Sequence, residues 1–391
     1  MGAGPGRMPA TVGLLVNPIA GIGGRVGLKG SDGEETVRRA LALGASPGAG
    51  ARASAAIARL LARWPASAEP PVVLTAPLEM GESAALEAGV RPRVIGAIVP
   101  GATTAADTVR LARLMADEGV DLLLFAGGDG TARDVHAGLR DAPVPVLGIP
   151  AGVKIHSAVF ATSPAMAGDL AAGFLGLPGP RRRTAAREVL DLDEDAYREG
   201  RIAPRLHGTL RVPAGRLVQG RKSPSPPADA IAMAGIAEDF VERLVPGRRY
   251  VLGPGTTLRA IADRLGVPKT LVGVDVVLAG ADGRATLVAA DVGERELLAE
   301  VAVGPATIVV TPIGGQGFVL GRGNQPISPA AVRAVGRENI IVVATAAKLA
   351  ALGGRPLVVD SGDPALDAEL AGHITVVTGY RDAAVTRLDA A

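Results

Sequence analysis

Residues 120–131 read VDLLLFAGGDGT, a mostly apolar run that stops at two glycines, then an acid, a third glycine and a hydroxyl. The run 120–126 has the composition of a buried strand, and 132–139 has the pattern of a helix. The turn between them, Gly127-Gly128-Asp129-Gly130-Thr131, then sits at a helix N-terminus. Glycines there let a phosphate approach main-chain N–H groups closely, and the helix dipole favours its negative charge. Asp129 is the anomaly, because a carboxylate beside an anion site is repelled unless it binds a metal or accepts a proton. Asp129 is therefore the candidate for chemistry. Gly127, Gly128, Gly130 and Thr131 are candidates for holding phosphates.

Composition narrows the classes around that turn. A chain of 391 residues is long enough for two domains, and 48% apolar residues can fill their cores. Aromatic residues are 2% of the chain, which argues against stacking on single-stranded nucleic acid. The 41 Lys and Arg against 39 Asp and Glu leave a net charge of +2, no footprint for a nucleic-acid partner. With no cysteine, disulfides and thiolate metal sites are excluded. Histidines stand at 136, 156, 207 and 373 without helical ligand spacing, which argues against a histidine zinc site. No apolar run reaches the ~18 residues of a spanning helix. The start, MGAGPGRMPATVGLLVNP, reads as a disordered tail and a first strand rather than a signal peptide. A cytoplasmic protein with no membrane partner is expected.

Outward from the turn, strands and helices alternate. A short strand at 12–16 ends in the glycine-rich loop Asn17-Pro18-Ile19-Ala20-Gly21-Ile22-Gly23-Gly24. A helix is predicted at 51–64 and strands at 72–75 and 93–99. Thr103 or Thr104 can cap a helix running to Glu118, with Val109, Leu111, Leu114 and Met115 as its apolar stripe. A strand at 145–149 leads to the turn Pro150-Ala151-Gly152. This order predicts an α/β domain, a parallel sheet flanked by helices. Ligands of such sheets bind at the carboxyl ends of strands, where the loops 17–25, 127–131 and 150–157 fall. Asn17, Gly21 and the cations Lys154 and His156 join the candidates on that ground. After about residue 180 the texture changes: Arg181-Arg182-Arg183 reads as a solvated linker, 213–228 as a Pro- and Ser-rich loop. Strands then dominate, at 270–278, 285–290, 306–311, 339–345, 357–359 and 374–378, with one clear helix at 257–265 ended by Gly266. The expected organisation is a tail at 1–10, an α/β domain at 11–180 and a mostly β domain at 181–391.

The GGDGT turn after a buried strand resembles that of the superfamily joining NAD kinases, diacylglycerol kinases and sphingosine kinases. Thr311-Pro312-Ile313-Gly314-Gly315-Gln316-Gly317, followed by Gly321-Arg322-Gly323-Asn324-Gln325-Pro326-Ile327, is similar to an NAD-kinase stretch that reads TPTGSTAY before a glycine-rich turn. Arg355-Pro356-Leu357-Val358-Val359 is similar to a C-terminal NAD-kinase strand. NPIAGIGGRVGLKGSDG (17–33), GIPAGVKIHSAVFATSP (148–164) and GPGTTLRAI (253–261) resemble the divergent ATP-NAD kinase group that includes the kinase-like protein of acetoin-catabolism clusters. The resemblance spans nearly the whole chain and implies an NAD kinase-like fold with ligands in a cleft between its domains. It also implies phosphoryl transfer from ATP, or from inorganic polyphosphate, to the adenosine-ribose 2′-hydroxyl of NAD. Mg²⁺ or a similar divalent cation is expected, since such transfer needs alignment and charge neutralisation. By that resemblance Asp129 is expected to take the general-base or metal-organising role of the family's acid. The resemblance also makes Thr311, Gly314, Gly315, Gln316, Arg322 and Asn324 the expected nucleotide contacts from the second domain. A homo-oligomer is implied as well.

The sequence also departs from that pattern. NAD kinases carry an Asn-Glu or Asn-Asp pair that holds the substrate ribose; here Asp275 is present and the Asn is missing. An acid in an apolar strand is costly unless bonded or ligated, which puts Asp275 among the binding candidates. Asn17-Pro18 and Arg133-Asp134-Val135 lean toward the lipid-kinase branch. A kinase of another hydroxyl substrate, lipid or small metabolite, is the alternative, and a non-catalytic NAD- or ATP-binding regulator is a third reading.

Overall fold

The computed structural model describes residues 9–28, 34–140, 142–152, 155–192, 204–214, 229–282, 284–313 and 315–391. Lys154 and Gly314 lie outside these residues, as do 1–8 of the expected tail and 215–228 of the expected loop. The chain divides into two compact units, Met1–Gly21 with Pro47–Gln219, and Ile22–Ser46 with Gly220–Ala391.

The first unit is built on five strands: β1 (Thr11–Val16), β2 (Val72–Thr75), β3 (Arg93–Val94), β4 (Leu122–Gly127) and β5 (Val146–Pro150). Their order is β3-β2-β1-β4-β5, and every pairing is parallel. All of β1 after Thr11, and all of β4 and β5, are buried, as expected for a parallel sheet covered on both faces. The second unit opens with α1 (Glu34–Ala42), and α2 (Ala49–Arg63) is the first helix of the sheet domain. Then come α3 (Glu82–Glu87), α4 (Ala105–Asp117), α5 (Asp129–Leu139) and α6 (Pro164–Gly176). Glycines allow the helices to pair closely: a Cβ on Gly168 of α6 would stand 2.5 Å from the Ala56 carbonyl of α2, and one on Gly138 of α5 would stand 2.3 Å from that of Val109 on α4. Between them, Phe125 and Phe160 meet edge to face at 5.2 Å in the core. The chain runs outward from β1 to β3 and then returns to β4 on the other side of β1. The strand order therefore reverses between β1 and β4, and the carboxyl ends there are where such sheets take ligands.

An antiparallel ribbon, β6 (Thr184–Leu192) and β7 (Pro204–Pro213), follows. Its Val189, Leu210 and Val212 are buried in the same core as β1 and β4, so the expected boundary at residue 180 is displaced to 219. Arg182, read from the sequence as part of a solvated linker, is held in place. Its guanidinium pairs with Asp121, donates to the Leu175 and Leu177 carbonyls and lies 5.8 Å from the Phe174 ring centroid.

The second unit carries a mixed nine-stranded sheet. Its strands are β8 (Arg249–Leu252), β9 (Asp275–Ala279), β10 (Ala285–Ala289), β11 (Ala306–Val310), β12 (Phe318–Leu320), β13 (Ile340–Val343), β14 (Leu357–Val359), β15 (Gly372–Gly379) and β16 (Asp382–Ala390). They stand in the order β10-β9-β8-β11-β13-β15-β16-β14-β12. Helix α7 (Asp229–Glu242) precedes them, and α8 (Thr256–Leu265), α9 (Glu294–Ala302), α10 (Pro329–Val335), α11 (Ala346–Ala350) and α12 (Pro364–Leu370) lie between them in the chain. The strand-rich second half expected from the sequence is present, with more helix than its patterning shows. Among the described residues no helix is long and apolar enough to cross a membrane.

Candidate functional site

In the first unit the loops after β1, β4 and β5 converge at the point where the strand order reverses. Asn17 continues β1 through its main-chain N–H to the Ala126 carbonyl (3.0 Å), and its Nδ2 donates to Thr131 Oγ1 (2.9 Å). Gly21 has φ +77°, and a Cβ there would fall 2.0 Å from the Ala151 carbonyl oxygen; only glycine fits both demands. At Gly127 a Cβ would meet Thr131 Oγ1 at 2.3 Å, while its carbonyl accepts from both Ala151 N (2.9 Å) and Gly152 N (3.0 Å). Gly128 is the N-cap of α5, and no side chain caps that end of the helix. Gly130 and Thr131 occupy its first turn, Thr131 buried. The result is bare main chain at a helix N-terminus, bordered by two other strand-end loops, a fitting cradle for an anionic group. Sequence reading named the glycine loop 17–24 as one ligand-wrapping segment. The structure splits it, with 17–21 in the first unit and 22–28 packed on the second, where Glu294 N donates to the Arg25 carbonyl (2.8 Å).

Asp129 opens α5 and is buried. Its Oδ2 accepts from the main-chain N–H of His156 (2.7 Å) and lies 3.1 Å from His156 Nδ1; its Oδ1 accepts from Ser157 N (2.9 Å). His156, expected as a cation facing phosphate, is itself buried and turned toward this acid. Ser157 is the partner that sequence reading missed. Its N–H holds Asp129, and its Oγ donates to the Leu190 carbonyl (2.7 Å) and accepts from Leu190 N (3.0 Å), fixing the loop to β6. A single serine carries no pattern that announces this. Arg52 was missed as well; it sits on α2 and donates from Nη1 to the Pro150 carbonyl (3.1 Å), bringing a cation to the end of β5. Arg133 pairs with Asp134 (3.2 Å) and Asp191 (2.7 Å), which binds α5 to the ribbon. Among the described residues no three His, Asp or Glu side chains are grouped to hold a metal ion. With both Asp129 oxygens engaged, the donor set suits a divalent ion that arrives on phosphate oxygens rather than one caged by carboxylates.

In the second unit, Thr311 follows β11 and its Oγ1 accepts from Lys348 Nζ (2.9 Å). Gly315 has φ +75°, and its carbonyl accepts from Arg355 Nη2 (2.8 Å). Gln316 N donates to the Ile313 carbonyl (3.1 Å), closing the turn before β12. Asn324 accepts from Gly321 N (2.9 Å) and donates to the Val319 carbonyl (2.9 Å), so it braces the turn it stands in. Arg322 is buried, with its guanidinium 4.0 Å from the Phe318 ring centroid and 3.4 Å from Asp360. These residues stand in the loops on either side of β12. Asp275 does not offer itself to a ligand: it has no solvent exposure, and its oxygens take Thr270 N (2.9 Å), Thr270 Oγ1 (2.9 Å), Asp291 N (2.7 Å) and Lys269 Nζ (2.7 Å). The binding role read from its sequence position gives way to an internal one, and its bonds satisfy the charge that made it conspicuous.

Comparison with known proteins matches both halves of the chain. Residues 12–176 match the ATP-NAD kinase N-terminal domain, and residues 246–388 the ATP-NAD kinase C-terminal domain. No curated protein sequence matches the chain. Two solved structures from Bacillus anthracis str. Sterne, both described provisionally as a diacylglycerol kinase, match at 17% identity and a TM-score of 0.25. Each match covers 47% of this chain and 46% or 45% of the other, so the chain spans less than half the length of these solved relatives.

Proposed function

This chain belongs to the ATP-NAD kinase family, and from that premise we propose that it transfers the terminal phosphoryl group of ATP, or of inorganic polyphosphate, to the 2′-hydroxyl of the adenosine ribose of NAD. The observation that carries the reading is the uncapped, glycine-lined N-terminus of α5 where the strand order reverses, with a buried acid as its first residue. Main-chain N–H groups and the helix dipole there stabilise phosphate charge, and Arg52 stands at the neighbouring strand end. In this reading Asp129, held by the main-chain N–H groups of His156 and Ser157, takes the general-base or metal-organising role. Mg²⁺ or a similar ion, when bound, neutralises charge on the transferring phosphates. Thr311, Gly315, Gln316, Arg322 and Asn324 serve as the nucleotide-facing loop of the second unit. A cytoplasmic homo-oligomer fits this reading.

One observation favours a different acceptor. The acid nearest to the family's ribose-holding pair, Asp275, is fully occupied inside its own unit. A kinase acting on another small hydroxyl compound is therefore the second reading. NADP formation by the full chain, supplied with NAD, Mg²⁺ and either ATP or polyphosphate, separates the two. Turnover that Asp129→Asn lowers by at least about 100-fold supports the NAD reading. Folded protein that consumes donor only when another hydroxyl compound is present supports the second.

A further inference from the structure

We propose that His156 and Ser157 are positioning residues for phosphoryl transfer: they clamp the Asp129 carboxylate in one orientation and leave a single position, on its Oδ1, through which the acid acts. The inference rests on the phosphotransferase reading above and assigns the atoms of that site.

The bonds at the carboxylate carry it. An ionised carboxylate offers about four acceptor positions, two on each oxygen. Oδ2 fills both of its own with His156, whose main-chain N–H stands at 2.7 Å and whose Nδ1 stands at 3.1 Å. A carboxylate accepts and does not donate, so Nδ1 carries the hydrogen of that contact. Oδ1 takes Ser157 N at 2.9 Å and, among the described residues, no second donor. The last torsion of an aspartate is otherwise broad, and bonds to both oxygens from consecutive residues of one loop stop it from turning. The two side chains of the acid–imidazole contact are each 7% exposed, a setting in which such a bond is strong.

The clamp is as rigid as the loop that bears it. Ser157 is buried, and its Oγ donates to the Leu190 carbonyl (2.7 Å) and accepts from Leu190 N (3.0 Å). One residue on, Ala158 N donates to the Glu188 carbonyl (3.0 Å). Three bonds thus fasten the loop to Glu188 and Leu190, alternate residues that share one edge of β6. They fall beside the shift in the β6–β7 register between Val189 and Leu190. The serine hydroxyl meets both main-chain groups of Leu190 because it donates and accepts at once.

In the transfer, the acceptor oxygen forms a bond to the terminal phosphorus of a nucleoside triphosphate or polyphosphate. The bond from that phosphorus to its bridging oxygen breaks, and the shortened phosphate leaves with the electron pair. The hydroxyl proton goes to the open position on Oδ1 while Oδ2 keeps both of its bonds, and it returns to water after product leaves.

The test measures kcat and KM of the full chain. His156→Leu removes the Nδ1 donor and keeps the main-chain N–H; it should lower kcat by about 10- to 100-fold with KM little changed. Ser157→Ala, which releases the loop from Leu190, should do the same. His156→Asn sets an amide donor near the place of Nδ1 and should recover most of the loss. In an Asp129→Asn background His156→Leu should cost little more, because a residue that acts through the acid then has nothing to position. Nitrogen NMR of histidine-labelled wild-type protein should show the proton of His156 on Nδ1. A bare Nδ1 overturns the clamp without reference to turnover. So does wild-type kcat in His156→Leu or Ser157→Ala, His156→Asn no faster than His156→Leu, or an undiminished loss in the Asp129→Asn background; each leaves the phosphotransferase reading standing. Wild-type protein that transfers phosphoryl to no acceptor sinks that reading and the clamp's role with it.

Discussion

Lys269 and Asp275 form an ion pair in which neither side chain reaches solvent. The amine donates to the carbonyls of Thr270 (2.8 Å) and Gly273 (2.9 Å) as well as to the acid at 2.7 Å, and burial pulls its pKa below the ordinary lysine value while Asp275 opposes that shift. Such a pair is weak evidence of net stability, yet removing one partner strands the other in the interior. Lys269→Met should therefore destabilise the second unit by about 3–5 kcal/mol, measured by urea unfolding. In an Asp275→Asn background the same substitution should cost clearly less, because no anion is left unpaired. A coupling below about 0.5 kcal/mol in that cycle would contradict the account. The contrast with Asp129 is instructive. Both acids are buried and both accept three or more bonds, but one is answered by a lysine in the core and the other by a histidine at a strand-end loop.

At the scale of elements, α4 shows how a helix start can be tested through pH. Asp107 accepts from Thr104 N (3.0 Å) and Thr104 Oγ1 (3.1 Å), which ties down the N-cap, and it pairs with Arg110 at 2.7 Å. The Arg110 bond first, and then the Thr104 N–H, hold its carboxyl below the ordinary aspartate value. A depressed folded pKa means stability present above the unfolded pKa of about 3.9 and lost as pH falls through the folded value. Asp107→Ala should thus cost about 0.5–2 kcal/mol at pH 7 and close to nothing at the acid end, read from unfolding free energies at both. This helix was legible from Thr104 and its apolar stripe, and the β4-turn-α5 segment from its run of glycines. Others were not. PAMAGDLAAGFLG of α6 and DAIAMAGIAEDFVE of α7 are apolar nearly all round, so no stripe marks them. The strand expected at 93–99 stops at Val94, because Gly96 takes φ +77°. The strand expected from 270 begins at Asp275, because Thr270 turns back to bind that acid. The candidate site was legible as a glycine-rich turn of bare main chain at a helix start. Its acid–imidazole contact was not, since it joins positions 27 apart that no local pattern relates.

The whole molecule is threaded so that its chain passes from the first unit to the second after Gly21, back after Ser46, and forward again after Gln219. Each unit has its own hydrophobic core, the first reaching from Val12 to Val212. Composition alone put the division at 180, where the arginine run and the change of texture lie. A cut there would remove Val189, Leu210 and Val212, which are 0%, 7% and 0% exposed in the first core. Each such side chain contributes about 1.5–3 kcal/mol when buried, so the loss is of the same order as the ~5–15 kcal/mol that holds a whole domain folded. The cut would also sever Ser157 from Leu190 and Arg133 from Asp191, the bonds that fix the loop behind Asp129. A fragment of residues 9–180 should therefore bind a hydrophobic dye and melt without a cooperative transition, while one of residues 9–214 should melt more cooperatively and at higher temperature. Equal melting of the two fragments would mean that the ribbon is an appendage, and that the loop carrying His156 is fixed by something other than β6.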